Sequence, residues 1–483
     1  MNSPNTAPIL KSTLRRLQDL PGPSGLPLLG NALQFRSPAL HLKLESWARI
    51  YGPYYKLRVP RRDLLVVSDH AAVAKVLRDR PSGFSRTARL REIGQEMGLQ
   101  PGVFSAEGDD WLRQRRMVMA GFDPGHVRRY FPALVQVAQR LGKRWERAAK
   151  KSNPIDLQSD LMRYTVDTIA GLAFGAAVDT LGSDTDVIQQ HLDKIFPALF
   201  RRITAPIPLW RLLPSADDRA LARSIVEVNR AVDGFVAQAR ARMQHDAQLR
   251  TNPGNLLEAM IAEADKPDSG LSDAQVAGNV LTMLLAGEDT TANTIAWMIY
   301  LLWTHPETLQ LAKDEIHAHV VDLHNPSMDE MDKLNYLQAC INETMRLKPV
   351  GPQLPLQANR DITVGDVLVP KGTIVFNLLR SDSLREDLVD HANEFRPERW
   401  LQEHNPAKRI STPFGAGPRI CPGRYLALLE MKIAMTVLLG QFDITYVGTA
   451  DGSPPQERLS FAMMPVGLLM QLNHRHSFDR TPH

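Results

Sequence analysis

Cys421 sits in a ten-residue loop, Phe414–Gly423 (FGAGPRICPG), that holds three glycines and two prolines and leads directly into an apolar stretch opening at Arg424. Proline fixes the backbone and glycine lets a large flat group approach it closely, so the loop combines a set path with room against it. A cysteine at a helix N-terminus faces free amide groups and the positive end of the helix dipole. Both favour the thiolate, the form of cysteine that ligates a metal. Arg419, two residues earlier, can neutralise an acidic ligand group. A lone cysteine in a helix is more often a small buried hydrophobe, and Cys340, in a plain helical pattern, keeps that reading.

Three further constellations carry chemistry only in context. Ala286–Thr291 (AGEDTT) puts a run of polar residues in the middle of a segment whose halves, Val280–Ala286 and Ile295–Trp303, are apolar on nearly every face. A water-exposed kink is one reading. In a helix this apolar, however, polar groups are costly unless they face a cavity or each other, so a cavity is expected here. Glu343 and Arg346 lie three apart on a predicted helix and can pair, which by itself is an ordinary surface ion pair. Trp111 and Arg115 lie one turn apart on a helix face and, taken alone, read as a basic face meeting solvent.

The elements that must position these residues are mostly helical. The clearest helix runs from the capping-box pair Ser272 and Gln275 to about Thr304, where Pro306 stops it; at about 1.5 Å per residue it can cross a whole domain. Ahead of it, Leu20–Asn31 (LPGPSGLPLLGN) reads as an ordered lead-in. Tyr54–Val59 and Leu64–Val67 read as a hairpin around residues 60–63, and most segments from Ala71 to about Leu347 have helical spacing. After Pro349 come β-prone pieces (Ile362–Val369, Thr373–Asn377), a last helix from about Arg424 to Leu439, and a tail alternating turns and strands. No repeat, low-complexity block or long linker divides the chain. The expected organisation is an N-terminal extension over 1–20 and one mainly α domain with minor β over 21–483.

With 43% apolar and 23% charged residues, the 483-residue chain can bury a large core. A net charge of +4, from 57 basic and 53 acidic residues, is far from the concentrated basic stripe of a nucleic-acid binder, so no nucleic acid is expected. Two cysteines make no disulfide framework, and the apolar runs are broken by charges before they reach spanning length. A soluble, cytoplasmic protein is the expectation.

The loop around Cys421 resembles the FxxGxRxCxG signature of the cytochrome P450 superfamily at Phe414, Gly417, Arg419, Cys421 and Gly423. Glu343 and Arg346 match its ExxR motif, Phe395–Trp400 (FRPERW) follows about fifty residues later, WxxxR falls at Trp111 and Arg115, and Ala286–Thr291 matches its oxygen-activation segment. The resemblance covers nearly the whole chain. It implies a triangular, helix-rich single domain with small β-sheets that binds haem b (iron protoporphyrin IX). In that family Cys421 would ligate the iron, Phe414 would pack by the sulfur, and Arg419 would pair with a propionate, as would Trp111 and Arg115. Glu343, Arg346 and Arg399 would form a buried triad supporting the loop. Gly287 would let the long helix bulge over the haem, while Asp289 and Thr290 relay protons to dioxygen. Gln353 stands where several relatives carry a basic residue for the second propionate. A thiolate ligand favours O–O cleavage, and the protein's task is ligand choice, proton delivery and substrate positioning.

By family position the substrate pocket includes Phe104, Ala286, Gly351, Leu354 and Phe461, with the small Gly351 leaving space for a bulky or flexible apolar substrate. Ile195–Leu213 reads either as an entrance lid or as an ordinary amphipathic helix pair and loop. The resemblance implies O2 and a fatty acid, terpenoid or steroid as substrates of a monomeric enzyme. Electrons would come from a separate ferredoxin or flavodoxin with its reductase, since no flavin or iron–sulfur module is present. Three functions stay open: a monooxygenase, which needs the acid and Thr relay; a peroxide-driven or isomerising thiolate-haem enzyme, which usually departs from it; and a haem sensor without turnover.

Overall fold

The computed structural model describes residues 14–475 except 61, 176–178, 183–190, 193 and 206, with 172 described by its backbone alone. Among the described residues, helices dominate. They are α1 (Leu40–Tyr51), α2 (His70–Arg78), α3 (Ala88–Glu96), α4 (Gly108–Gly121), α5 (Pro124–Lys150), α6 (Leu157–Phe174), α7 (Ile195–Thr204) and α8 (Ala216–His245). After these come α9 (Leu256–Ala264), α10 (Asp273–Trp303), α11 (Pro306–His319), α12 (Met328–Lys333), α13 (Asn335–Leu347), α14 (Pro406–Ile410) and α15 (Arg424–Gln441). None is long and apolar enough to cross a membrane.

The central element is α10. Ser272 accepts from the Gln275 amide while the Gln275 side chain accepts from Ser272, so the capping box read from the sequence starts the helix. Most of its length is buried, and α6 runs along it. Gly287 permits that approach: a Cβ there would stand 2.8 Å from the Ile169 side chain of α6. Asn279 pins α10 to its other neighbours, donating to Gln114 of α4 at 2.8 Å and accepting from the Val103 amide at 2.8 Å.

The β structure lies to one side. A five-stranded sheet has the order Tyr54–Val59, Arg62–Val67, Ile374–Leu378, Gln353–Ala358, Phe84–Arg86. The hairpin pairs Tyr54 with Val67 and Val59 with Arg62; Arg61, between those strands in sequence, lies outside the described residues. The β-prone run Ile362–Val369 is two strands, Ile362–Val364 and Val367–Val369, folded about Gly365 with φ +59°. The tail pairs Phe442–Gly448 with Leu469–His474 and Glu457–Ser460 with Ala462–Pro465. A buried ion network joins the sheet region to α1 and α13. Arg380 donates to both oxygens of Glu45 at 2.9 and 2.8 Å and to Glu457, which also receives His41 and Lys348.

Of the extension assigned to 1–20, residues 1–13 lie outside the described residues, but Arg15–Arg16 forms a parallel strand with Val367–Leu368 and Leu20 is buried. The Arg15 guanidinium bonds Asp366 through Nε and Nη2 at 2.8 and 2.7 Å, a long-range pair that sequence spacing does not reveal.

Candidate active site

The loop before α15 holds Cys421 by backbone geometry. Gly415 and Gly417 adopt φ of +74° and +73°, the left-handed region that glycine enters freely. A Cβ on Gly417 would meet the Arg78 Cα at 2.7 Å and the Leu77 carbonyl oxygen at 2.8 Å, so α2 presses on the loop where only glycine fits. The Cys421 amide donates to the Phe414 carbonyl at 3.0 Å, closing the loop, and Gly423 is the N-cap position of α15. Cys421 opens into a cavity of 680 Å³, within the range of ligand sites of roughly 300–1,000 Å³. Burial pushes its thiol up, against the Gly423 amide and the positive Arg115 and Arg424.

The cavity's other walls come from distant parts of the chain. Helix α4 supplies Trp111 and Arg115; Arg115 donates to the Ile420 carbonyl at 2.7 Å, tying α4 to the cysteine loop. Arg419 lies over the Trp111 ring at 4.5 Å and donates through Nη2 to the Ala106 carbonyl at 2.8 Å and to Glu107 at 2.5 Å. The neutralising partner of Arg419 within the chain is therefore Glu107, which spacing did not single out. Phe414, Gly423, Ala286, Gly351, Leu354, Phe104 and Phe461 all line the cavity. A Cβ on Gly351 would have open space around it. Phe461 (φ +83°) stacks on Phe196 of α7 at 4.4 Å and faces Phe104 at 5.8 Å. Phe200, Ile203, Thr204 and Ala205 also line the cavity. Arg89 of α3 fastens this segment by donating to the carbonyls of Arg202, Ile203 and Ala205, each at 2.9 Å. Pro206, within the segment read as lid or loop, lies outside the described residues.

The segment Ala286–Thr291 is brought to the cavity in part. Ala286, Gly287, Thr290 and Thr291 line it, whereas Asp289, buried on the same helix, does not. Adjacent helical positions point about 100° apart, so one face takes 286, 287, 290 and 291 and leaves 289 behind it. The Thr290 hydroxyl donates to the Ala286 carbonyl at 2.7 Å. Helix α10 runs unbroken through Gly287, whose small size serves the contact with α6.

Glu343, Arg346 and Arg399 come together as a buried cluster remote from solvent. Arg346 grips Glu343 through two bonds of 2.8 Å, and Arg399 Nε donates to it at 2.9 Å. The Trp400 indole at 2.8 Å and the Arg396 amide at 3.1 Å complete the carboxylate's shell. The arginines then spend their remaining donors on the carbonyls of Ser383, Ala392, Glu394, Asp390 and His391, which clamps the 383–399 loops onto α13.

Several cavity residues were missed, Glu430 and Arg80 among them. Glu430 of α15 is buried and lines the cavity; burial raises its carboxyl to about 8, and its Oε1 has no protein partner among the described residues. A single acid inside the apolar run of α15 was the signal available for it. Arg80, between α2 and the Phe84–Arg86 strand, had no such signal. It is 4% exposed, lines the cavity and leaves Nε and Nη2 unpartnered.

These features fit a haem. A half-buried thiol with compensating positive groups suits an axial ligand, and the guanidinium groups of Arg80, Arg86, Arg115 and Arg419 line the cavity with unmet buried donors on Arg80 and Arg419 that suit its carboxylates. Gln353 lines the same cavity but is neutral, with its Oε1 also unpartnered.

A model of the cytochrome P450 family matches residues 20–472. The chain is similar to cytochrome P450 3A31 of Mesocricetus auratus, with 28% identity over 447 residues covering 90% of this chain and 87% of that one. It is similarly related to cytochrome P450 3A5 of Homo sapiens (28% identity; 88% and 85% covered) and to Protein LUTEIN DEFICIENT 5, chloroplastic, of Arabidopsis thaliana (27%; 88% and 72%). With a mainly α fold, a cysteine loop that opens on a haem-sized cavity and a family match over almost its entire length, the chain belongs to the cytochrome P450 family of haem-thiolate monooxygenases, enzymes that require O2, a substrate and a redox partner.

Proposed function

We propose that this chain, as a single domain over 21–483 carrying haem b, inserts one oxygen atom from O2 into a small apolar organic substrate by hydroxylation or epoxidation. A fatty acid, terpenoid or steroid is the expected substrate class. One observation carries this reading: a single cavity joins Cys421 to Ala286 and Thr290 of α10, and the rest of its wall is largely apolar and aromatic, with Phe104, Phe200, Leu354, Phe376 and Phe461. Haem, when bound through Cys421, supplies the oxygen-activating redox chemistry. The chain's own residues hold and orient. Apolar walls exclude water and take the substrate's hydrocarbon body. Thr290 carries a hydroxyl on the cavity wall that can pass a proton at Oγ1, and Asp289, set behind that wall, serves as the proton reservoir feeding it.

Electrons come from a separate ferredoxin or flavodoxin with its reductase. The basic Arg115 and Arg424 beside Cys421 favour an acidic donor near that loop. Function as a monomer belongs to the same reading. Both cysteines are free, consistent with a reducing, cytoplasmic setting. The test is a screen of fatty acids, terpenoids, steroids and aromatics for the high-spin spectral shift, followed by turnover of the compounds that shift it. Oxygenated product that requires both reductant and O2 is expected. Turnover with peroxide alone, or tight gas binding with no oxidisable ligand, would replace this reading by a peroxygenase or a sensor.

A further inference from the structure

We propose that Arg86 anchors the carboxylate of a substrate, so that this chain acts on amphipathic organic acids in preference to neutral hydrocarbons or esters. The inference rests on the proposed oxygenation of an organic substrate and narrows its class. Arg86 ends the edge strand Phe84–Arg86, is half-buried and lines the cavity. Its Nε donates to the Phe104 carbonyl at 3.2 Å, and its guanidinium lies over the Phe104 ring at 4.0 Å. These contacts fix the guanidinium plane and leave Nη1 and Nη2 without a hydrogen-bond partner among the described residues. That pair forms the end-on edge of the group, whose spacing matches the two oxygens of a carboxylate. Phe104 faces Phe461, which stacks on Phe196 of α7, so the free edge belongs to the aromatic part of the cavity.

The charge on this wall calls for an anion beyond those of the haem. An arginine keeps its charge inside a protein, and a buried charge without a partner is costly to the fold. Burial, then Arg80 and Arg419, push the Arg86 pKa well below its ordinary value, with Glu107 opposing them. Glu107 is already committed, Oε2 to Arg419 and Oε1 to the Arg86 backbone amide at 2.7 Å. The four guanidinium groups of Arg80, Arg86, Arg115 and Arg419 thus share the wall with Glu107 as the one carboxylate acting on them. A haem brings two carboxylates, which suit the unmet donors of Arg80 and Arg419, and one positive charge remains. Glu430, an acid on the same cavity wall, is raised to about 8 by burial and stays mostly neutral at neutral pH.

Spectral titrations of the holoprotein test this with dodecanoic, naphthoic and dehydroabietic acids, each beside its methyl ester, the high-spin shift giving the dissociation constant. The wild type should bind at least one acid more tightly than its ester. R86Q should weaken that acid roughly tenfold, the scale of one charge-assisted contact, and leave the ester unchanged. R86K, which keeps the charge and loses the paired edge, should fall between. Esters that bind as tightly as every acid would overturn the assignment, as would an R86Q protein that weakens acid and ester alike. So would acid binding unchanged in R86Q, and faster haem release to excess apomyoglobin in that variant would then give Arg86 to the cofactor. Should R86Q not accumulate as holoprotein, R86K and the wild-type comparison of acid with ester decide by the same criteria. Neutral terpenoids or steroids oxygenated while no acid binds would remove this inference alone. No oxygenated product from any compound would instead remove the substrate reading on which it rests.

Discussion

A buried thiol resists ionisation, and burial pushes Cys421 up even with the Gly423 amide, Arg115 and Arg424 opposing it. A coordinated metal ion removes that difficulty because it deprotonates a ligating thiol outright. Cys421→Ala is accordingly expected to abolish the red-shifted Soret band of the reduced carbon monoxide complex, and a variant that kept the band would sink the assignment of Cys421 as ligand. Glu430 shows the same physics without a metal. Its folded-state pKa, about 8 against an ordinary 4.5, means that the folded protein holds a proton which the unfolded chain releases over that interval. Stability should therefore fall as pH rises from about 4.5 to 8, by up to roughly 5 kcal/mol at 1.36 kcal/mol per unit. Glu430→Gln removes this dependence. Melting temperatures of the two proteins should diverge in favour of the variant as pH rises, and parallel profiles would show that the carboxyl is not held neutral.

At the scale of elements, tight backbone contacts position the chemistry as much as the reactive side chains do. Gly415 and Gly417 have nearly the same φ, but only Gly417 lies against backbone atoms of α2. Gly415→Ala should cost roughly 1 kcal/mol for the left-handed backbone alone, whereas Gly417→Ala should cost at least about 2 kcal/mol more through overpacking and should speed haem loss. Denaturant titration of both holoproteins checks this, and equal costs would exclude the contact with α2 as the cause. Much of this level was legible beforehand. The capping box at Ser272, the hairpin at 54–67 and the start of α15 at Arg424 follow from local residue chemistry. The cavity face of α10 was legible only in part, because a polar run marks a stretch of helix while its rotation against α6 decides that Thr290 lines the cavity and Asp289 does not.

For the molecule as a whole, the Arg380 network joins α1, the end of α13, the sheet and the C-terminal hairpin across more than four hundred residues of sequence. Burial alone would raise the Glu457 carboxyl, but His41, Arg380 and Lys348 hold it well below its ordinary 4.5. A depressed pKa contributes stability that is fully present above about pH 4.5 and is lost as pH falls toward the folded value. Glu457→Gln should lose roughly 3–5 kcal/mol near pH 7, because it strands buried cations, and should show a shallower loss on acidification than the wild type. Unfolding titrations between pH 3 and 7 test both parts, and an unchanged acid limb would remove Glu457 from the account.

The sequence by itself determined the glycine-rich cysteine loop, the spacing of Glu343 and Arg346, the long buried helix and the cavity it had to border, because each depends on neighbours within a turn or a loop. Only the tertiary structure decided which charges meet. Arg419 with Glu107 and Trp400 with Glu343 are pairs made by packing distant segments, and burial raises the Glu430 carboxyl and leaves two Arg80 donors without a partner among the described residues. Neither burial nor long-range pairing is encoded by residue type and spacing at a single position, so those parts of the site emerged only from the folded chain.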